Sequence, residues 1–249
     1  MTPARRPPRL RPREADPALR LRAVLFDAAG TLLRLREPVG DTYARLARPF
    51  GVDLPPARLE EAFGRVLAAA PPNVHPGEPP ETAAAAERSW WRARVRETFR
   101  AADGTARLSD FEAYFDGLWR HYGGSGAFAL APGAAHALHA LRAAKRRLAV
   151  VSNFDQRLHG LLAELGVGVL FDAVTLPADA GAAKPDPAIF AACLARLGVG
   201  PGHAVYVGDD APAALRAIRA QGLRTMDVRG LATLAGVPER IAALEEEAP

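Results

Sequence analysis

The stretch Arg22-Ala23-Val24-Leu25-Phe26-Asp27-Ala28-Ala29-Gly30-Thr31-Leu32 decides how this chain is read. Arg22–Phe26 is a short apolar run with β-branched and aromatic members, the pattern of a buried strand. It stops on Asp27. Two small residues, Ala28 and Ala29, follow, and then Gly30 and Thr31. A carboxylate at the end of a buried strand, beside a tight turn at Gly30, is the geometry of a site. Ligands of open α/β sheets sit at the carboxyl ends of the strands. An aspartate placed there can act as a nucleophile toward phosphorus or carbon.

Downstream of Pro132 the same kind of unit recurs. Helical patterns over 132–145, 156–165, 187–197, 212–220 and 238–247 alternate with strand patterns over 148–152, 173–176, 204–207 and 223–228. Such alternation indicates an α/β fold with a parallel sheet and right-handed crossovers. Asp155 and Asp186 stand where helix caps are expected. Gly166, Gly198 and Gly222 stand where helices stop.

Between Leu35 and Phe128 the strand pattern is absent. Four helices are expected at 41–50, 56–69, 82–101 and 109–122, with a proline-dense loop over 70–80. Asp41 reads as the first N-cap, and Ser109 with Glu112 as a capping box. Trp90, Trp91, Phe111, Tyr114 and Trp119 read as the core of this helical insertion, and His75 as exposed. The expected domains are a tail over 1–20, a core over 21–34 and 129–249, and a helical cap over 35–128.

Three more strand ends carry chemistry. The run Leu148–Ser152 leads into Ser152-Asn153. Lys184 stands in Lys184-Pro185-Asp186-Pro187. Ala204–Val207 leads into Gly208-Asp209-Asp210. Bringing a phosphoryl group to a carboxylate unites two anions, so an ammonium and a divalent cation are needed to offset the repulsion. Mg²⁺ takes about six oxygens from one or two carboxylates, substrate and water. Asp27, the backbone carbonyl of Ala29 and Asp209 suit it, with Asp210 as an additional ligand. His136 and His139 have no third partner and read as surface residues.

In this order and context the motifs resemble the haloacid dehalogenase-like hydrolase superfamily. The likeness is nearest to the group of haloacid dehalogenase-like hydrolase domain-containing protein 3, also called rhythmically-expressed-gene-2-like, and covers about residues 22–230. It implies a Rossmann-like core with an all-helical cap inserted after the first strand. It also implies Asp27 as nucleophile, Ser152, Asn153 and Lys184 as phosphate-binding groups, and Mg²⁺ as cofactor. Two positions depart from the pattern. Phosphatases of the superfamily carry a general acid and base two residues after the nucleophile, where this chain has Ala29. They carry another acid five residues after Asp209, where this chain has Ala214. Relatives with Ala at the first of these positions rely on a cap lysine, and this cap has none.

The expected function is Mg²⁺-dependent hydrolysis of a small phosphorylated metabolite. Two alternatives remain: a catalytically impaired protein that binds a phosphorylated ligand or a protein partner in the same cleft, and a carbon–halogen hydrolase. Charge argues against nucleic acid as a partner. The net charge is +4, and residues 1–20 alone carry six Arg against two acids, so the rest is neutral. No apolar run approaches the ~20 residues of a membrane span. The single cysteine, Cys193, excludes an internal disulfide and reads as a core residue. The expected compartment is the cytoplasm. Only Lys145 and Lys184 are lysines, against 30 arginines. A lysine in such a background suits a place where a guanidinium fork does not fit.

Overall fold

The computed structural model describes residues 16, 18–77 and 80–246. Most of the expected tail, and Glu247 of the expected last helix, lie outside them. In chain order the elements begin with strands β1 (Ala23–Phe26) and β2 (Leu33–Leu35). Helices α1 (Val39–Ala47), α2 (Pro56–Ala69), α3 (Pro80–Ala102) and α4 (Phe111–His121) follow. Next come β3 (Phe128–Leu130), α5 (Ala134–Ala143), β4 (Arg147–Val151), α6 (Arg157–Glu164) and β5 (Ala173–Thr175). The chain continues through α7 (Pro177–Ala180), α8 (Pro187–Leu197), β6 (Ala204–Gly208), α9 (Pro212–Arg219), β7 (Arg224–Asp227) and α10 (Val237–Glu246).

The main sheet has the order β5-β4-β1-β6-β7 and every pairing in it is parallel. The order turns outward in both directions from β1, which makes β1 the switch point of the sheet, where ligands bind in such folds. β1 is buried along its whole length because it has a neighbour on each side and helices on each face. Its alternation divides the core. Val24 and Phe26 pack with Leu138, Leu158 and Ile241, from α5, α6 and α10. Ala23 and Leu25 pack with Phe190 and Ile218, from α8 and α9. Each fully buried large side chain of this kind contributes about 1.5–3 kcal/mol by leaving water.

Helices α1–α4 lie between β2 and β3 in the chain and enclose a hydrophobic cluster of their own around Tyr43, Leu59, Phe99 and Tyr114. β2 and β3 form an antiparallel ribbon, with Leu33 opposite Leu130 and Leu35 opposite Phe128. The sequence pattern did not signal this ribbon. Two cap assignments also change. α1 starts two residues before Asp41, which lies in its first turn. α4 is capped by Asp110, whose carboxylate accepts from the Ala113 N–H, and not by Ser109. Glu112 pairs with Arg92 on α3 instead of closing a capping box. Among the described residues no helix is long and apolar enough to cross a membrane.

Candidate active site

Parallel strands put all their carboxyl ends on one edge of the sheet. Asp27 directly follows β1, Ser152 follows β4, and Asp209 and Asp210 follow β6, and the three strands are neighbours. The fold therefore brings together residues far apart in the chain. Lys184 reaches the same edge from the loop before α8.

The centre of the cluster is an ammonium between two carboxylates. Lys184 Nζ is 2.9 Å from Asp27 Oδ1 and 3.2 Å from Asp210 Oδ1. The same Asp27 oxygen, Oδ1, also accepts from the Ala28 N–H at 2.7 Å. Burial raises the Asp27 carboxyl above the usual carboxylate range, while the Lys184 ammonium opposes that rise and Asp210 adds to it. Ser152 is buried beside them, and its Oγ accepts from the Phe154 N–H at 3.3 Å.

Two expected ligands have protein partners in this structure. Asp210, read as an additional metal ligand, faces Lys184, and its Oδ2 accepts from the Tyr206 hydroxyl at 2.5 Å. Asn153, read as a phosphate ligand, spends its side-chain amide on the Lys184 backbone. Its Nδ2 donates to the Lys184 carbonyl at 3.1 Å and its Oδ1 accepts from the Lys184 N–H at 2.7 Å. Asn153 thus fixes the loop that carries the ammonium.

Tyr206 is a member of the site that the sequence reading missed. It lies in the middle of β6, fully buried, edge-on to Phe190. Its hydroxyl accepts from Lys184 Nζ at 2.6 Å and donates to Asp210. Burial and the surrounding carboxylates push its ionisation far above the ordinary tyrosine range, so it stays a neutral donor. The signal was a polar aromatic in an otherwise aliphatic strand, two residues before Gly208.

Asp209 sits against the turn after β1. Its Oδ1 accepts from Thr31 Oγ1 at 2.9 Å. Gly30 holds a left-handed φ of +83°, and a Cβ there would stand 2.1 Å from Asp209 Oδ2. The turn is therefore shaped to admit a carboxylate where any other residue would block it. Among the described residues no group of three His, Cys, Asp or Glu is arranged around a metal. Asp27, Asp209 and the Ala29 carbonyl offer two carboxylates and one backbone oxygen. Such a set fits Mg²⁺, which keeps substrate and water oxygens for its other positions.

Above this edge opens a cavity of about 900 Å³ that reaches from Asp27, Ser152 and Lys184 up to α2, α3 and α4. Trp90, Trp91 and Trp119, expected as core of the helical insertion, line it. A polar seam joins the helices to the sheet at its side. Asp155, expected as a helix cap, accepts from the Arg157 N–H, pairs with the Arg157 guanidinium at 2.6 Å, and accepts from Trp91 Nε1 at 2.8 Å. The guanidinium lies 3.6 Å over the Trp119 ring. Glu87 on α3 is buried there too, and its Oε2 accepts from the Gln156 N–H at 3.2 Å.

The sequence pattern of haloacid dehalogenase-like hydrolases matches residues 21–222. Human haloacid dehalogenase-like hydrolase domain-containing protein 3 is 34% identical over 215 residues, which is 85% of this chain and 83% of that protein. Among solved structures, a HAD phosphatase from Thermococcus onnurineus covers 88% of this chain and 97% of its own at TM-score 0.57 and 24% identity. The L-2-haloacid dehalogenase of Xanthobacter autotrophicus covers 89% of this chain and 83% of its own at TM-score 0.61 and 24% identity. These two establish the fold alone. The pattern match spans most of the chain, from β1 through α9, and so this protein belongs to the haloacid dehalogenase-like hydrolases.

Proposed function

We propose that this protein hydrolyses a small phosphorylated metabolite through an aspartyl nucleophile. The observation that carries the proposal is the pairing of a buried carboxylate, Asp27, with the Lys184 ammonium at the floor of a large cavity. Lys184 and Ala28 hold Asp27 Oδ1, which leaves Oδ2 to attack phosphorus. Lys184 offsets the meeting of two anions, and the Ser152 hydroxyl donates to a phosphoryl oxygen. Attack yields an aspartyl phosphate, which water then hydrolyses to phosphate and the free carboxylate. Mg²⁺ held by Asp27, the Ala29 carbonyl and Asp209 would supply further charge stabilisation. Residues 35–128 act as a cap on the core of 21–34 and 129–249, excluding water from the cavity. Asn153 and Tyr206 keep the ammonium in place.

A second reading is favoured by Ala29, which leaves the usual acid–base position empty of a proton carrier. It is a binding protein that holds a phosphorylated ligand or a protein partner without turning it over. A panel of phosphorylated metabolites, with Mg²⁺ or with chelator, separates the two. Metal-dependent phosphate release that disappears in Asp27→Asn supports hydrolysis. Absence of release, with thermal stabilisation by a phosphate analogue, supports binding. Halide release from haloacids without metal would instead place the chain with carbon–halogen hydrolases.

A further inference from the structure

The hydrolase reading leaves two features without a purpose. One is the chemistry of the cavity wall. Above the charged floor the wall is formed by Phe63, Leu67, Trp91, Phe115, Trp119 and Phe154. Its polar side chains are few, and three of them are already committed: Asn153 to the Lys184 backbone, Arg157 to Asp155 and Asn73 to His75, which leaves Arg34 and the Tyr122 hydroxyl. A sugar or polyol would have to leave water and set most of its hydroxyls against apolar rings, with few partners. A flat apolar group would gain by the same burial, and ring-on-ring contacts would add to it.

The other feature is the missing proton. Ala29 has no acid, and among the described residues Asp27 and Asp210 are the only carboxyl groups on the cavity wall, with no histidine there. Asp27 is the nucleophile and Asp210 is held by Lys184 and Tyr206. The phenols of Tyr43 and Tyr122 line the cavity, but burial weakens both as acids, Tyr122 to about 12. A leaving group in this cavity departs best without being protonated. An alkoxide does so poorly. A phenolate does so readily, because a phenol ionises near pH 10.

Resting on the hydrolase reading, we propose that the substrate is an aryl phosphate monoester, its ring seated among the aromatic side chains of the cap and its phosphoryl group on Asp27 and Lys184. Asp27 Oδ2 forms a bond to phosphorus as the bond from phosphorus to the aryl oxygen breaks. The electron pair leaves with that oxygen as phenolate, which takes a proton from water once released. A water molecule then attacks the aspartyl phosphate, giving inorganic phosphate and regenerating the carboxylate.

The test compares four substrates in Mg²⁺ with the wild-type protein. Phenyl phosphate has a ring and a good leaving group, benzyl phosphate a ring and a poor one. Acetyl phosphate has a good leaving group without a ring, and glucose 6-phosphate has neither. The expected kcat/KM for phenyl phosphate, which reports the step that breaks the bond to the leaving oxygen, exceeds that for benzyl phosphate at least 100-fold. Its expected KM lies at least tenfold below that for acetyl phosphate. Across substituted phenyl phosphates the rate falls steeply as the phenol becomes less acidic. Binding is read separately with two analogues that cannot be hydrolysed: phenylphosphonate is expected to bind at least tenfold more tightly than methylphosphonate, in the wild type and in Asp27→Asn. Equal affinities for the two phosphonates, or faster turnover of glucose 6-phosphate than of phenyl phosphate, overturn the aryl assignment while Asp27-dependent turnover stands. No turnover of any phosphoester, with the phosphonate preference intact, overturns the hydrolase reading and the substrate claim with it.

Discussion

Lys184 Nζ stands 2.9 Å from Asp27 Oδ1 and 3.2 Å from Asp210 Oδ1, so a single ammonium separates a buried carboxylate from a half-buried one. Removing one partner of a buried pair typically costs about 3–5 kcal/mol, because the other charge stays behind without compensation. Lys184→Met leaves two carboxylates facing each other and is expected to fall in that range. Asp27→Asn is expected to cost clearly less, since Asp210 still pairs the ammonium. Urea unfolding of the two variants measures this. An Asp27→Asn variant less stable than Lys184→Met would show that Lys184 is not the hub of the cluster.

The Tyr206 hydroxyl connects Lys184 to Asp210 from inside the sheet. Tyr206→Phe keeps the ring and its packing on Phe190 but deletes that connection. The expected loss of stability is about 1–3 kcal/mol, the cost of leaving buried polar partners unsatisfied. Phosphate release is expected to drop roughly tenfold through kcat, about 1.4 kcal/mol in the barrier. Steady-state kinetics and denaturation together check it, and unchanged values in both would remove Tyr206 from the site.

Glu87 gives the seam between α3 and α6 a dependence on pH. Burial raises its carboxyl to about 7, against an ordinary value of 4.5. The folded state therefore holds the proton more firmly than the unfolded state. Its contribution to stability is fully present below about pH 4.5 and is lost as pH rises through about 7. Glu87→Gln stays neutral and can still accept from the Gln156 N–H. The wild type loses about 1.4 kcal/mol for each pH unit between those two values, so the variant is expected to gain up to about 3 kcal/mol over it by about pH 8, and nothing at about pH 4. Thermal unfolding across that range reads the difference, and parallel curves for the two proteins would sink the idea.

Much of the fold is legible in the chain because it is local. The bounds of α2 and α8 coincide with the sequence reading, since proline opens each one and the apolar spacing is regular. The ends of β1, β4 and β6 are marked by a change from apolar to small or polar residues. The β2–β3 ribbon is not legible. Each strand has three residues, too few to show a period, and its partner lies beyond the whole helical insertion. Asp155 looks like an ordinary cap, because a hydrogen bond to its own helix is a role that short spacing can show. Its ion pair with Arg157 is readable as a neighbourly pair of charges, but its bond to Trp91 depends on how the cap meets the core. Trp91 and Trp119 do pack against the core of the helical insertion, and with Trp90 they also line the cavity, which composition could not show: it tells that a ring avoids water, not what stands on its other side.

Ala29 is exposed on the cavity, next to the turn that holds Asp209. Space for a longer side chain exists there. Ala29→Asp is expected to raise phosphate release from alkyl phosphates by ~10²–10⁴, the usual contribution of general acid–base catalysis. The gain in kcat/KM should be far smaller for phenyl phosphate, whose leaving group needs no proton, while any gain in its kcat comes from activating water on the aspartyl phosphate. A uniform gain in kcat/KM across both substrates, or none in either, contradicts the view that the missing acid limits the enzyme.

At Gly30 geometry fixes the direction in which a substitution acts. Its φ of +83° is strained for any residue with a Cβ, and that Cβ would meet Asp209 Oδ2 at 2.1 Å. Gly30→Ala must therefore either move the turn after Asp27 or push the Asp209 carboxylate away from it. The backbone strain alone costs about 1–3 kcal/mol. If Asp209 holds Mg²⁺ together with Asp27 and the Ala29 carbonyl, the displacement also weakens metal binding. The concentration of Mg²⁺ at half-maximal activity is expected to rise at least tenfold, with a smaller change in KM for substrate. Metal titration of activity at several substrate concentrations separates the two effects. A variant that loses stability but keeps its Mg²⁺ dependence would show that Asp209 braces the turn through Thr31 and takes no part in holding the ion.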